Sequence, residues 1–175
     1  MTLQEGITLI KTGKIDSSKE ATWADLGCGS GLFTYALASL LKDESTIYAV
    51  DKNISSFNKN SSLKNILIKP VELNFEKTDL PFNKLDGILM ANSLHYVKNI
   101  KDFLEKIKIC LNANGCFLIV EYDMEAANHW VPYPINFSSL KKLFHDVGFS
   151  FVEKINERPS FFNRANLYSA IVKHT

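Results

Sequence analysis

The stretch WADLGCGSGLFTYALASLL, residues 23–41, constrains the fold more than any other part of the chain. An apolar run ending in Asp25 and Leu26 gives way to Gly27, Gly29 and Gly31. A stripe of Leu32, Phe33, Ala36, Leu37, Leu40 and Leu41 follows at helical spacing. Strand, glycine turn and helix in that order belong to parallel sheets, in which a crossover helix covers the face the strand leaves open. Glycine costs chain entropy, so its use here needs a return. It permits positive φ and lets a ligand approach the main chain without meeting a Cβ atom.

The same alternation continues along the chain. Strands are expected at 22–26, 46–50, 66–68, 85–91 and 116–122. A second helical stripe, Ile100, Phe103, Leu104, Ile107 and Leu111, is expected to stop at Asn114-Gly115, and a third, Leu140, Leu143, Phe144 and Val147, at Gly148. Two closing apolar runs, 149–155 and 167–172, have no helical stripe between them and predict an antiparallel hairpin, while 3–10 reads as a short leading helix. The pattern predicts an α/β three-layer sandwich, a mainly parallel seven-stranded sheet covered on both faces and finished by a C-terminal antiparallel hairpin. With 175 residues, 46% of them hydrophobic, one domain over 1–175 suffices. Residues 1–20 form its leading helix and linker. Residues 124–175 supply an acceptor-side loop, the last helix and the hairpin.

Ligands of such sheets lie beyond the carboxyl ends of the strands, where the glycine turn falls. A dinucleotide fold wants G-x-G-x-x-G, but here the glycines are Gly27, Gly29 and Gly31, and Leu32 occupies the third glycine's slot. Asp25 opens the loop with a carboxylate, which attracts an ammonium group and repels a pyrophosphate. Asp51 ends the second strand in IYAVD, where a carboxylate accepts hydrogen bonds from both hydroxyls of a ribose.

DLGCGSG followed by AVD resembles the class I S-adenosylmethionine-dependent methyltransferases. Asn74-Phe75 after the third strand, Leu80-Pro81-Phe82 before the fourth, LDGILMANSLHYV at the fourth and EYD at the fifth fall in that family's order, over about residues 20 to 125. The tail, with WVPYP and RPSFFNRANLYSAIV, resembles a poorly characterised branch acting on small molecules. The resemblance implies a Rossmann-like methyltransferase fold with S-adenosylmethionine as cofactor. It also implies roles: Asp25 and the backbone at Gly27 and Gly29 hold the methionine moiety, Asp51 the ribose, Asn74 and the Phe75 backbone the adenine edge. Ala91 and Asn92 line the methionine side, and Cys28, Gly31 and Lys52 complete the cofactor-binding set. The adenine position is commonly Asp, and Asn74 departs from that, though its amide oxygen still accepts from a 6-amino group.

His95 in SLHYV is the candidate general base, against a packed or capping role. Trp130 and Tyr133, after the fifth strand, are candidate acceptor contacts, against a place in the core. His95, His129, His145 and His174 lack ligand spacing, so no metal site is expected. The acceptor is expected to be a small molecule. Net charge is +1 and no N/D-P-P-Y/F motif follows the fourth strand, which counts against nucleic acid. Cys28, Cys110 and Cys116 read as reduced, packed thiols, and no run reaches the ~20 apolar residues of a membrane span, so a cytoplasmic protein is expected. Two rivals stay open: a partner or regulatory module that binds the cofactor without catalysis, and a nicotinamide-dependent oxidoreductase.

Overall fold

A computed structural model describes residues 1–58, 65–160 and 165–174. The elements in chain order are α1 Leu3–Ile10, β1 Thr22–Leu26, α2 Leu32–Ala38, β2 Thr46–Asp51, β3 Leu67–Glu72, β4 Leu85–Ala91, α3 Ile100–Lys108, β5 Leu111–Tyr122, α4 Phe137–Asp146, β6 Phe151–Pro159 and β7 Asn166–Lys173. They build one seven-stranded sheet of order β3-β2-β1-β4-β5-β7-β6. The β1 to β5 pairings are parallel, and β7 runs antiparallel to both β5 and β6. This is the α/β arrangement that the alternation predicts. Residues 161–164, inside the tail stretch RPSFFNRANLYSAIV, lie outside the described residues.

Period-two alternation feeds two cores, one on each face. Ala24, Ile88, Met90, Phe117 and Ile119 point to the layer holding Leu104 and Ile107 of α3 and Leu140 and Phe144 of α4. Their neighbours Trp23, Leu89, Leu118 and Val120 point to the opposite layer, against Leu9 and Ile10 of α1 and Ala36 and Leu37 of α2. Each large apolar side chain so buried contributes about 1.5–3 kcal/mol. The Trp23 indole lies over Gly87, where an added Cβ would meet the ring at 2.3 Å.

Both sheet edges carry a proline, Pro70 in β3 and Pro159 in β6. An edge strand tolerates the missing N–H and is thereby protected against pairing with another chain. At the β6 edge, α1 is fastened to the hairpin. Asn156 Nδ2 donates to the Thr8 and Leu9 carbonyls at 3.0 and 3.2 Å, Ser169 Oγ donates to the Leu9 carbonyl at 2.6 Å, and Arg158 pairs with Glu5 at 2.9 Å.

Several boundaries differ from the pattern. α3 ends at Lys108, not at Asn114-Gly115, because the chain turns at Cys110, whose carbonyl accepts from Leu85 N, and Leu111 is already paired with Leu85. β5 therefore starts at Leu111 and passes an irregularity before Cys116 pairs with Gly87. Gly115 serves close packing there: a Cβ would sit 2.9 Å from the Leu85 carbonyl oxygen. β3 runs to Glu72, since Pro70 does not end an edge strand. β6 starts at Phe151 and runs to Pro159, because Phe149 belongs to the core after α4. Gly148 closes α4 in the left-handed conformation (φ 97°), as its position after the stripe predicts.

Candidate functional site

The glycine turn joins β1 to α2 beside the β4 end, with φ of 87° at Gly27, 51° at Gly29 and 93° at Gly31. Two of the three are also hemmed in. A Cβ on Gly27 would come within 2.4 Å of Ser93 Cβ, and one on Gly31 within 2.8 Å of the Phe57 ring. Gly29 has nothing within 4 Å of that position and opens onto the cleft. The turn is fixed from the β2 side, since the N–H groups of Gly27 and Cys28 both donate to the Val50 carbonyl, at 2.8 and 3.0 Å. From the β4 side, Ser93 Oγ donates to the Leu26 carbonyl at 2.6 Å.

Around this turn the carboxyl ends of β1, β2 and β4 enclose two lobes that share Gly27 and Asn92. The larger, about 360 Å³, is lined by Asp51, Lys52, Asn74, Phe75 and Tyr96. The smaller, about 270 Å³, is lined by Asp25, Cys28, Gly29, Leu32 and Ala91. Eleven residues were expected to bind cofactor. The two lobes bring ten of them together; Gly31 is instead the left-handed residue at the start of α2.

The lobes differ in chemistry. Asp25 is 1% exposed, and Thr34 Oγ1 donates to its Oδ2 at 2.5 Å, while Oδ1 has no partner. Burial pushes its carboxyl up to about 7, against the Thr34 hydrogen bond and aided by the charge of Asp51. Asn92 takes positive φ (53°) with its N–H on the Val120 carbonyl, and its side-chain Oδ1 is also buried without a partner. Two unpaired acceptors in one buried lobe form a receptor for N–H or O–H donors, with a cation favoured by the carboxylate. Burial and the carboxylates at Asp25 and Asp51 push the Cys28 thiol up, so it is an inert part of the wall.

In the larger lobe the carboxylate of Asp51 and the amide of Asn74 already have partners. Asp51 Oδ2 accepts from Gly29 N at 3.0 Å and Oδ1 from Asn53 N at 3.1 Å. Asn74 Oδ1 accepts from Lys77 N at 3.3 Å in a local turn.

His95 sits in a short 3-10 turn, Leu94–Tyr96, and is 2% exposed. Glu121, at the end of β5, holds it twice: Oε1 accepts from His95 N at 3.1 Å, and Oε2 lies 2.6 Å from ring Nδ1. Nε2 is buried without a partner, and the ring lines neither lobe, although Ser93, Tyr96 and Val97 do. Such burial is at odds with a base that must meet an acceptor. Trp130 and Tyr133 are 72% and 37% exposed, so neither is a core residue. Their loop is attached to the 3-10 turn by Tyr133 N–H donating to the His95 carbonyl at 3.0 Å. The sequence pattern missed Thr34, Ser93, Tyr96 and the Glu121 partnership. Only Thr34 left a signal, a polar side chain inside an otherwise apolar first turn of α2.

Among the described residues no group of three or more His, Cys, Asp or Glu side chains is placed to hold a metal, and no helix is long and apolar enough to cross a membrane. The family described as Methyltransferase domain matches residues 24–117. No curated protein sequence matches the chain. Among solved structures, an S-adenosylmethionine-dependent methyltransferase from Methanosarcina mazei is 15% identical, with 92% of this chain and 94% of that one covered at a TM-score of 0.66. One from Aquifex aeolicus is 17% identical, with 99% of each chain covered and a TM-score of 0.65. The 1,6-didemethyltoxoflavin-N1-methyltransferase of Burkholderia thailandensis, solved with 1,6-didemethyltoxoflavin and S-adenosylhomocysteine bound, is 16% identical, with 99% of this chain and 78% of that one covered at a TM-score of 0.68. At such identities the likeness is one of fold.

Proposed function

The chain belongs to the methyltransferase-domain family, and from that premise we propose that it is a cytoplasmic enzyme transferring the methyl group of S-adenosylmethionine to a small molecule. The observation that carries the cofactor reading is the smaller lobe. Asp25 Oδ1 and Asn92 Oδ1 are buried acceptors without partners, beside the open backbone of Gly29. An α-amino group supplies the donors they lack, and the Asp25 carboxylate favours its positive charge. The larger lobe has the size and the acceptors for the adenosine, with Asp51 toward the ribose hydroxyls and Asn74 and Phe75 toward the base. A nicotinamide dinucleotide fits poorly, since its pyrophosphate at the glycine turn would lie beside the Asp25 carboxylate.

When bound, the cofactor supplies a methyl group already activated on a sulfonium. What remains for the chain is to hold both partners in line and exclude water. Ser93 and Glu121 fix the β4 end against which this happens. A small acceptor agrees with the balance of 20 basic and 19 acidic residues, which leaves almost no net charge to draw a polyanion.

Calorimetry tests the cofactor half. S-adenosylmethionine and S-adenosylhomocysteine should bind at micromolar concentrations and NAD should not; a preference for NAD overturns the reading. Incubation of small-metabolite pools with methyl-labelled cofactor tests the catalytic half. Tight binding with no transfer to any pool favours instead a binding module without catalysis.

A further inference from the structure

Six large hydrophobic side chains are exposed among the described residues, and the three aromatic ones, Tyr96, Trp130 and Tyr133, all follow β4 or β5 at the carboxyl edge of the sheet. Tyr96 is 53% exposed and lines the larger lobe. Its backbone is nonetheless held on every side. Tyr96 N donates to Ser93 O at 3.3 Å, Val97 N donates to Leu94 O at 3.0 Å, and Ser93 Oγ ties the turn to β1. One residue back, Glu121 grips His95 at its N–H and at its ring, and the His95 ring lies under Tyr96 at 4.3 Å between centroids. The His95 carbonyl, on the same peptide unit as Tyr96 N, receives Tyr133 N–H. The loop bearing Tyr133 is itself drawn tight, Asn128 Oδ1 accepting from both Trp130 N and Val131 N at 2.8 and 2.9 Å.

A tyrosine that stays over half exposed on a backbone this constrained is a preorganised stacking surface: it loses apolar contact in the free protein and recovers it when a flat partner covers it. Charge narrows that partner further. The larger lobe contains Asp51 and Glu76 against Lys52, and Asp25 lies in the adjoining lobe, so an anionic acceptor is disfavoured. Resting on the cofactor assignment above, we propose that Tyr96 is the specificity-determining residue of the acceptor site, and that the acceptor is a planar, uncharged aromatic or heteroaromatic molecule bearing a hydroxyl or amino group. It stacks on Tyr96 at the rim of the larger lobe, with Tyr133 and Trp130 on the loop that joins it there.

The test uses the whole chain loaded with S-adenosylhomocysteine and titrated with naphthol, hydroxyquinoline and aminoquinoline, each beside a saturated counterpart such as decalol. At least one planar probe should bind about tenfold or more tighter than its saturated counterpart, and Tyr96→Ala should remove that margin while Tyr96→Phe keeps it. Each variant is loaded to saturation with S-adenosylhomocysteine, and its uptake measured first, because Tyr96 also lines the lobe assigned to the adenosine. Equal affinity for planar and saturated probes, or planar binding unchanged in Tyr96→Ala, overturns the inference. So does sedimentation showing a dimer that Tyr96→Ala dissociates, because the aromatic surface then belongs to a second copy of the chain. Failure of the parent protein to take up S-adenosylhomocysteine is read in the loading step, before any probe is added, and removes the cofactor assignment itself.

Discussion

The two lobes of the cleft have similar residue types at their floors and opposite hydrogen-bond states. In the smaller, Asp25 keeps a buried oxygen without a partner, as does Asn92 on the border between the two. In the larger, the oxygens of Asp51 and Asn74 are already occupied by backbone N–H groups of their own surroundings. An unpaired buried acceptor costs the free protein stability that a ligand donor returns in full, whereas a paired one must share or exchange its partner and returns less. Binding energy should therefore be concentrated on the methionine side, even though the larger space lies on the adenosine side.

Asp25→Asn puts that contrast under the most strain. It keeps the shape and the Thr34 contact but removes the charge, and should weaken S-adenosylmethionine by about a hundredfold, roughly 3 kcal/mol, in calorimetry. At pH 8 the same variant should melt higher than the parent, because it no longer buries an unpaired carboxylate. A loss of affinity together with a lowered melting temperature would instead make Asp25 a structural residue.

The next effect is a pH dependence. Asp25 is raised from 3.8 to about 7 in the folded protein, so the folded state holds its proton where the unfolded chain has released it. The stability this provides to the free protein is complete below the unfolded value and is lost as pH rises through the folded one. Cofactor affinity runs the other way, since an ammonium ligand needs the ionised carboxylate. It should fall toward about tenfold per pH unit below neutrality and be level in Asp25→Asn. A parent profile as flat as that of the variant removes the linkage.

Asp51→Ala should cost about 2 kcal/mol, or roughly thirtyfold in affinity, less than Asp25→Asn because Gly29 N and Asn53 N already draw on the same oxygens. A larger loss than at Asp25 reverses the ranking of the lobes. Asn74→Ala should be smallest, about threefold, since its amide oxygen serves the local turn at Lys77. The gap between the adenosyl cofactor and its inosyl analogue should narrow in that variant; an unaltered gap removes Asn74 from base recognition.

What the sequence made legible is what local chemistry dictates. Three glycines between a strand and a helix, an aspartate at each of two strand ends, and alternating apolar stripes were enough to anticipate the sheet and to gather the cleft's floor. Partnerships between distant strands were not legible. Nothing near His95 in sequence announces Glu121, 26 positions away, and a histidine looks the same whether it faces a ligand or is locked under a tyrosine. The end of α3 was misjudged for a related reason: Asn114-Gly115 has the composition of a helix stop, but Leu111 was already committed to Leu85 across the sheet. Trp130 and Tyr133 could be placed after β5 by order alone, while their exposure depended on the loop's attachment to the His95 carbonyl.

The fastening of α1 to the hairpin has a consequence for the making of the protein. An eight-residue helix is too short to persist alone in water, and the Thr8 and Leu9 carbonyls near its end find their partners on Asn156 and Ser169, 148 and 160 positions later. At about 5–20 residues per second a ribosome takes roughly seven to thirty seconds to cover that distance. For that interval α1 lacks these hydrogen-bond partners and has only the apolar face of α2, at Ala36 and Leu37, to pack on. α1 is thus secured only when the hairpin arrives, and its apolar face is most exposed to aggregation, or most in need of a chaperone, until β7 has been synthesised.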